Sequence, residues 1–415
     1  MKTIWFVSHS AMPPHLAMRV RTNLMAKYLK EKGYNVYVIG ASTIHNTDIN
    51  LIEPGDKRKY IEKEYDGVKY IHVKASNYTG NGLKRIRNML EFPIHLYQIR
   101  NEIKDKPDII IGNPQSVFGV IPYWVSRKLN AKYITEVRDL WPESIVVYKG
   151  FSRKNPIIWM MYRFEKWIYK KAHRIIFTME GGRDYIVDKG WDKDIHMSKI
   201  HHINNGVDLD IFNKNKQTNI VEDEDLDNDD IFKVVYTGSI REANNVRKIV
   251  DVAEAIKNKE YKDIKFLIYG DGPDKKVLEK HCLENNIDNV SFKGHIDKNK
   301  IPYILNKSDL NIMHFRQSSL KKYGSSMNKM FEYLASGKPS ISDCKFGYDL
   351  FTRYKAGLSI DNANVDELAE GVLKFYNMDE KEYNNYCENA LEGAKDYDYK
   401  ALANKLEEVI LTLDD

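Results

Sequence analysis

The chain has 415 residues, 42% hydrophobic and 30% charged, with a formal net charge of +5. That length exceeds one ordinary core and implies two domains, while the composition excludes a disordered or fibrous chain. No uninterrupted apolar run approaches the roughly 18 residues needed to span a bilayer. Cys282, Cys344 and Cys387 lack metal or disulfide spacing and fit reduced, buried or incidental thiols of a cytosolic protein. Lys2 leads directly into TIWFVS, so no signal peptide is expected.

Charge divides unevenly. Residues 1–205 carry 34 Lys+Arg against 20 Asp+Glu, and the remainder carries 30 against 39. An excess of that size suggests an anionic partner of the first half, the alternative being a solvated lysine-rich surface.

In chain order, strand candidates are 4–8, 35–40, 68–73, 108–112, 132–137 and 173–178. Between the first two lies AMRVRTNLMAKYLKEKG, with apolar residues three and four apart and a stop at Gly33. Strand, helix and strand in so short a span form a βαβ unit, and its repetition predicts a parallel sheet covered by helices. Residues 214–230 are acidic and aperiodic and read as a flexible connection. The alternation then resumes at 232–238, a helix over 246–256, 264–273, 290–294, 309–315 and 338–342. The fold class is therefore α/β, two Rossmann-like domains in series. The expected bounds are 1–205 and 206–395, with a final helix at about 396–415 able to pack back on the first domain.

Ligands of open parallel sheets bind where strand ends lead into helix N-termini. Tyr236-Thr237-Gly238-Ser239-Ile240-Arg241 is such a turn, with a glycine for close backbone approach and an arginine suited to phosphate oxygens. It also fits an ordinary strand–helix turn. Gly270-Asp271-Gly272-Pro273 reads more simply as a structural turn. Residues 325–341, SSMNKMFEYLASGKPSI, form an apolar-periodic helix with Ser325, Ser326, Asn328 and Lys329 at its start and Glu332 one turn on. Serines and first-turn N–H groups can cap a helix or bind an anion, Lys329 can face a diphosphate, and Glu332 can accept from ribose hydroxyls. A capped amphipathic helix with a snorkelling lysine fits the same residues.

Two N-terminal segments join basic to apolar residues. GLKRIRNMLEFPIHLYQIR sets Lys84, Arg85 and Arg87 beside Met89, Leu90, Phe92, Ile94 and Leu96. It suits the surface of an anionic membrane. NPIIWMMYRFEKWIYKKAHR interleaves Trp159, Tyr162, Trp167 and Tyr169 with Arg163, Lys166, Lys170 and Lys171, and suits core packing at least as well.

Taken in order, MPPHLAMRVRTNL, EVRDLWPES, NNGVDLDIF, YTGSIREANN, IYGDGPDKKVLEKHCLENNIDNVSFKGHIDKNKIPYIL and NKMFEYLASGKP resemble the retaining family-4 glycosyltransferases, over nearly the whole chain. EVRDLWPES with NKMFEYLASGKP resembles members that build capsule and O-antigen repeat units, including N-acetyl-fucosamine transferases. The resemblance implies the GT-B fold, two facing Rossmann domains. It implies a transferase moving a sugar from a nucleotide diphosphate, expected to be UDP, onto a lipid-diphosphate-linked saccharide at the cytoplasmic face of a membrane. It implies Gly238 and Arg241 at the phosphates and Gly294, His295 and Ile296 at the nucleobase. It places Glu332 at the ribose, with Ser326, Asn328 and Lys329 completing the donor side. Asn244-Asn245 stand where the family often has Lys-Gly, Gly324 where it has a first glutamate, and Gly112-Asn113 where many members have a histidine. Asp139, Glu136 and Arg138 fall at the reacting centre, and Asp139 also suits a cap before LWPES. His9, Arg19 and Arg21 are expected at the phosphate or acceptor. No metal or other cofactor is expected, because Arg241, Lys329 and helix N–H groups can neutralise the leaving diphosphate. A nucleotide-sugar epimerase of the same fold and a non-catalytic sugar-nucleotide-binding partner are the other readings. A nucleic-acid binder is disfavoured, since no recognition helix or RNA motif accompanies the basic excess.

Overall fold

A computed structural model describes residues 1–413 except 17–19, 46, 54, 81, 115 and 116. The chain divides into two compact units, residues 1–204 with 399–415, and residues 205–398.

Among its described residues unit 1 has eight strands: β1 Thr3–Val7, β2 Asn35–Ala41, β3 Tyr60–Tyr65, β4 Val68–Val73, β5 Ile109–Gly112, β6 Lys132–Val137, β7 Arg174–Phe177 and β8 Ile200–His202. Their order is β3-β4-β2-β1-β5-β6-β7-β8, with β3 antiparallel to β4 and the rest parallel. The central strands are Val/Ile runs because both faces are covered, and β1, β2, β5 and β6 are buried along nearly their whole length. Five of the covering helices bear on function: α1 Arg21–Glu31, α2 Leu83–Ile99, α3 Ile121–Lys128, α4 Glu143–Lys149 and α5 Pro156–Lys171. The C-terminal helix Tyr399–Leu411 packs on α1, placing Tyr399, Leu402, Leu406 and Ile410 in the unit 1 core.

Unit 2 has six parallel strands: β9 Phe232–Thr237, β10 Ile264–Tyr269, β11 Val290–Gly294, β12 Leu310–Met313, β13 Ser340–Ser342 and β14 Gly357–Ser359. Their order is β11-β10-β9-β12-β13-β14. In both sheets the chain first builds outward on one side and then returns to the other. The reversal lies between β1 and β5 in unit 1 and between β9 and β12 in unit 2. At such a point the loops diverge and leave a crevice at the carboxyl ends of the strands.

The expected flexible connection at 214–230 is instead ordered. Helices run over Leu209–Thr218 and Glu224–Asp227, and Asp208 and Asp223 accept from their first-turn N–H groups. Lys293 Nζ reaches Asp223 Oδ1 at 2.6 Å and Asp225 Oδ2 at 2.8 Å, while Lys265 reaches Asp225 Oδ1 at 2.8 Å. Burial alone would raise the Asp225 carboxyl, but the two lysines hold it well below the usual range. An acid-rich run therefore folds because its counter-charges lie on β10 and β11. Cys282 and Cys344 are buried and Cys387 half-buried, all as free thiols.

Candidate functional site

In unit 2 the reversal point gathers three segments. Gly238 follows β9 with φ +146°, and a Cβ built there would stand 3.0 Å from both Lys329 Nζ and the Tyr236 hydroxyl. Gly270, after β10, is excluded from bearing a side chain because its Cβ would lie 1.8 Å from the Gly238 carbonyl oxygen. Glycine is thus needed twice for two strand ends to close on one another. Arg241 is exposed, in extended backbone, before a short 3-10 turn over Glu242–Asn244. Asn244 is buried and donates to the Ser239 carbonyl at 2.7 Å and to Ser239 Oγ at 2.8 Å, tying the loop. Asn245 takes the left-handed conformation at φ +36°. That explains why asparagine can stand where the resembling family has glycine.

The helix Asn328–Ala335 begins beside this loop. Met330, Phe331, Tyr333, Leu334 and Ala335 bury its inner face in the unit 2 core, which fixes where its first turn points. Its N-cap is Met327, with no side-chain cap, and Ser325 Oγ accepts from the Met327 N–H at 3.4 Å. Ser326 instead offers its carbonyl to Asn205 Nδ2 at 2.7 Å. Lys329 Nζ lies 3.3 Å from the Tyr236 hydroxyl and 4.4 Å from that ring's centroid. Burial lowers the Lys329 pKa to about 8, with Glu332 opposing the shift and Arg241 adding to it. A half-buried ammonium at a helix N-terminus, its charge further disfavoured by Arg241, is a site short of negative charge. Glu332 is half-buried one turn on. Gly294 ends β11 at φ +78°, His295 is exposed, and Ile296 packs on the core.

In unit 1 the reversal point opens on a cavity of about 600 Å3, whose lining includes His9 after β1, Asn113 after β5, Asp139 after β6, and Tyr78, Arg85 and Phe92. His9 Nε2 is bonded to Asn88 Oδ1 at 2.7 Å, its ring stands edge-on to Phe92, and burial lowers its pKa, leaving it neutral at pH 7. Asp139 is exposed and accepts from Ser144 Oγ at 3.2 Å. It is not the cap of α4, whose N-cap is Pro142. Lys84 and Arg87 are exposed on α2, and Arg87 Nε pairs with Glu91 at 2.7 Å.

Three expected contacts are corrected. Glu136 is fully buried, with Arg21 Nε at 2.9 Å on Oε1 and Arg138 Nε at 2.6 Å on Oε2. Buried, with a guanidinium on each oxygen and no place in the cavity lining, it is not positioned to orient a sugar hydroxyl. Arg21 is equally buried and donates onward to the Ile203 carbonyl at 3.0 Å and to that of Asn204. It is a strut from α1 to the segment after β8, not a phosphate contact. Arg138 also donates to Thr22 Oγ1 at 2.7 Å, which anchors it within unit 1. Arg19 lies outside the described residues. Glu143, at the start of α4, is buried and held by Arg153, Lys189 and Tyr162.

Other polar groups carry no motif. Asn113 Oδ1 is buried without a hydrogen-bond partner among the described residues, and Asn113 lines both the large cavity and a smaller one of about 30 Å3. Glu165 lines the smaller cavity with Asp139 and accepts from the Tyr169 and Tyr185 hydroxyls at 3.0 Å each. Burial pushes its carboxyl up to about 8 against those bonds. Asp343, fully buried after β13, accepts from Lys248 Nζ at 2.7 Å and pairs with His314 after β12. Among the described residues, Asp251, Glu254 and His281 are the group whose ligand atoms could share a cation, and Asp251 is already paired with Arg247 at 2.6 Å.

Residues 18–211 match the family model described as Glycosyltransferase Family 4, and residues 217–393 that described as Glycosyl transferases group 1. A relative described as a teichuronic acid biosynthesis glycosyltransferase, TuaH of Bacillus subtilis (strain 168), is 26% identical over 215 residues. That match takes in 50% of this chain, and the chain spans about half the length of this relative, 49%. HepE of Anabaena, solved with UDP and glucose, has a TM-score of 0.66 at 14% identity, over 99% of this chain and 100% of that one. An E. coli trehalose-6-phosphate protein bound with UDP-2-fluoro glucose has 0.72 at 12%, over 98% of each chain. A glycosyltransferase of Rickettsia africae has 0.64 at 15%, over 100% of this chain and 99% of that one. At these identities the shared property is the fold.

The Glu136 geometry sets an expectation of stability. Removing its charge leaves the buried Arg21 and the half-buried Arg138 without their counter-ion, which costs about 3 kcal/mol. Glu136→Gln should lower unfolding free energy by that order in denaturant titration; an unchanged midpoint would return Glu136 to the reacting centre. Burial raises its pKa but the two arginines prevail and hold it at about 2. The stabilisation is therefore present above the unfolded-state pKa and lost as pH falls toward about 2.

Proposed function

The chain being a glycosyltransferase of the GT-B type, we propose that it transfers a sugar from a UDP-sugar to a lipid-diphosphate-linked saccharide, with retention of anomeric configuration, as a peripheral protein at the cytoplasmic membrane face. The observation that carries the donor half is Lys329, a half-buried ammonium beside Gly238 at the reversal point of unit 2. A diphosphate supplies the charge that place is short of, and the neighbours solved with UDP and a UDP-sugar support the nucleotide. Glu332 takes the ribose, Gly294-His295-Ile296 the base, and Ser326 and Asn328 flank the phosphates at the helix start. Lys329 and Arg241 then stabilise the leaving diphosphate, the term that dominates in such transfers.

The acceptor half rests on unit 1. Its cavity is large enough for a saccharide, and the relative in teichuronic acid biosynthesis supports a saccharide acceptor. Asp139 reaches that cavity with its carboxylate partly exposed and orients the attacking hydroxyl. The leaving phosphate oxygen accepts the hydroxyl proton as the new glycosidic bond forms on the face from which the diphosphate departs. His9 is neutral and serves as a hydrogen-bond group for the acceptor, with Arg85 the cation at the same wall. No helix among the described residues is long and apolar enough to cross a membrane.

Lys329→Ala and Glu332→Ala should each weaken UDP binding by roughly 1.5–3 kcal/mol, the scale of a charge-assisted hydrogen bond. Calorimetry giving wild-type affinity in both folded variants would remove this donor site. Because the free Lys329 pKa is lowered to about 8, a bound diphosphate should raise it. UDP binding near pH 8 should then take up protons and weaken as pH rises further. Calorimetry in buffers of different ionisation enthalpy reads that uptake directly; its absence in the wild type would mean the diphosphate does not meet Lys329.

Asp139→Asn should lower turnover far more than donor affinity, since its role is at the acceptor hydroxyl. Equal turnover in kinetic assays would leave Asp139 no such role. NMR of the product should give the donor's anomeric configuration, and conversion of the donor without any acceptor would instead mark an epimerase.

A further inference from the structure

We propose that the outer face of α5, continued by Trp124 of α3, is the surface by which the protein inserts into an anionic lipid bilayer. The inference deepens the reading of a lipid-linked acceptor and rests on it for the choice of occupant.

Helix α5 is apolar on two sides. Its inner side, Ile158, Met161, Ile168 and Tyr169, is buried in unit 1, as the spacing of a core helix requires. Its outer side is also apolar yet uncovered. Ile157 is 64% exposed, Trp159 57%, Met160 41% and Phe164 37%. Ile157, Met160, Phe164 and Trp167 recur at three- and four-residue steps, so they form one stripe. That stripe extends beyond the helix: the Trp124 and Trp167 ring centroids are 5.9 Å apart, and Trp124 is 46% exposed. Phe151, also exposed, lies in the segment leading into α5. Single exposed apolar residues are ordinary, but a contiguous set of this size marks a contact surface.

Charge decides between occupants. Glu165 is the one acid in α5 and is buried on the inner side. The exposed charges are cations at both ends of the stripe and along it: Lys154 before it, Arg163 within it, Lys170 and Lys171 at its close, with Arg153 engaged by Glu143. Lys166 and Lys170 share Asp194, which leaves the outer face cationic. Arg163 lies over the Trp159 ring at 5.3 Å, an arrangement that keeps a cation level with an amphipathic ring. Tryptophan, phenylalanine and isoleucine rimmed by arginine and lysine match the depth profile of a headgroup region over hydrocarbon. By contrast α2, whose cations Lys84, Arg85 and Arg87 were expected to meet the membrane, exposes Leu83, Ile86 and Ile94 without an aromatic among its exposed side chains; Arg85 is half-buried and Arg87 is paired with Glu91. α2 therefore contributes charge, and α5 the insertion.

The test uses the full chain with vesicles of phosphatidylcholine and phosphatidylglycerol. Wild type should sediment with them, less so at higher salt, and lipids brominated along the acyl chain should quench its tryptophan fluorescence. The double variant Ile157→Ser, Trp159→Ser should lose at least about tenfold in vesicle affinity, since both side chains would leave an apolar environment. Its thermal unfolding should match wild type. Lys84→Glu with Arg87→Glu should weaken binding but leave bromolipid quenching of the bound fraction. Unquenched wild type, or unchanged affinity in the serine variant, would overturn the proposal. So would self-association that the serine variant abolishes while vesicles are ignored, which would give the face to a second copy. Transfer to a water-soluble acceptor is assayed alongside: if that transfer is absent while docking persists, the enzymatic reading fails and the docking surface stands.

Discussion

A parallel sheet sends every strand's carboxyl end to the same edge, and at the point where the strand order reverses nothing fills the gap. Both units are built on that constraint. In unit 2 glycine draws the turns after β9 and β10 into backbone contact at Gly238 and Gly270, and Gly238 then faces Lys329 at the start of the Asn328–Ala335 helix. In unit 1 the same gap is left open as a cavity between the residues that follow β1, β5 and β6. Chemistry is concentrated at these two edges because only there can backbone donors and side chains converge without breaking a hydrogen-bonded ladder.

Two kinds of charge occur in the protein, and burial alone does not tell them apart. Glu136 is held by two arginines, and its charge is internally balanced, so it binds nothing further. Lys329 is half-buried, its hydrogen-bond partner among the described residues is a tyrosine hydroxyl, and another cation adds to its unfavourable environment. The first arrangement stabilises a fold; the second favours an anionic ligand. That difference separates the corrected residues of unit 1 from the donor candidates of unit 2.

Much of the architecture was legible because both-faces-buried strands read as Val/Ile runs between helical periods. The strand YIEKEY at β3 was not, since an antiparallel edge strand carries glutamates and lysines toward water. β8 and β14, three residues each, are too short to show a period. The acidic run before β9 was misread because Lys265 and Lys293, which order it, lie tens of residues downstream. Glu136 and Arg21 were misassigned for the same reason, being 115 residues apart and joined only by the fold. At the donor edge the glycine, lysine and helix start were visible as types in a pattern, whereas Tyr236 looked like any strand residue. The apolar outer face of α5 was visible as composition, but only burial could show which half of it the core leaves uncovered.

The central claim is that the reversal point of unit 2 is where a nucleotide diphosphate sits. Hydrogen exchange of the intact chain with and without UDP tests it most directly, because protection reports location without presupposing a reaction. The account predicts slowed exchange in residues 238–245, 294–296 and 326–332, with the edge strand β14 unchanged. Protection confined to other segments, or none at saturating UDP, would contradict it.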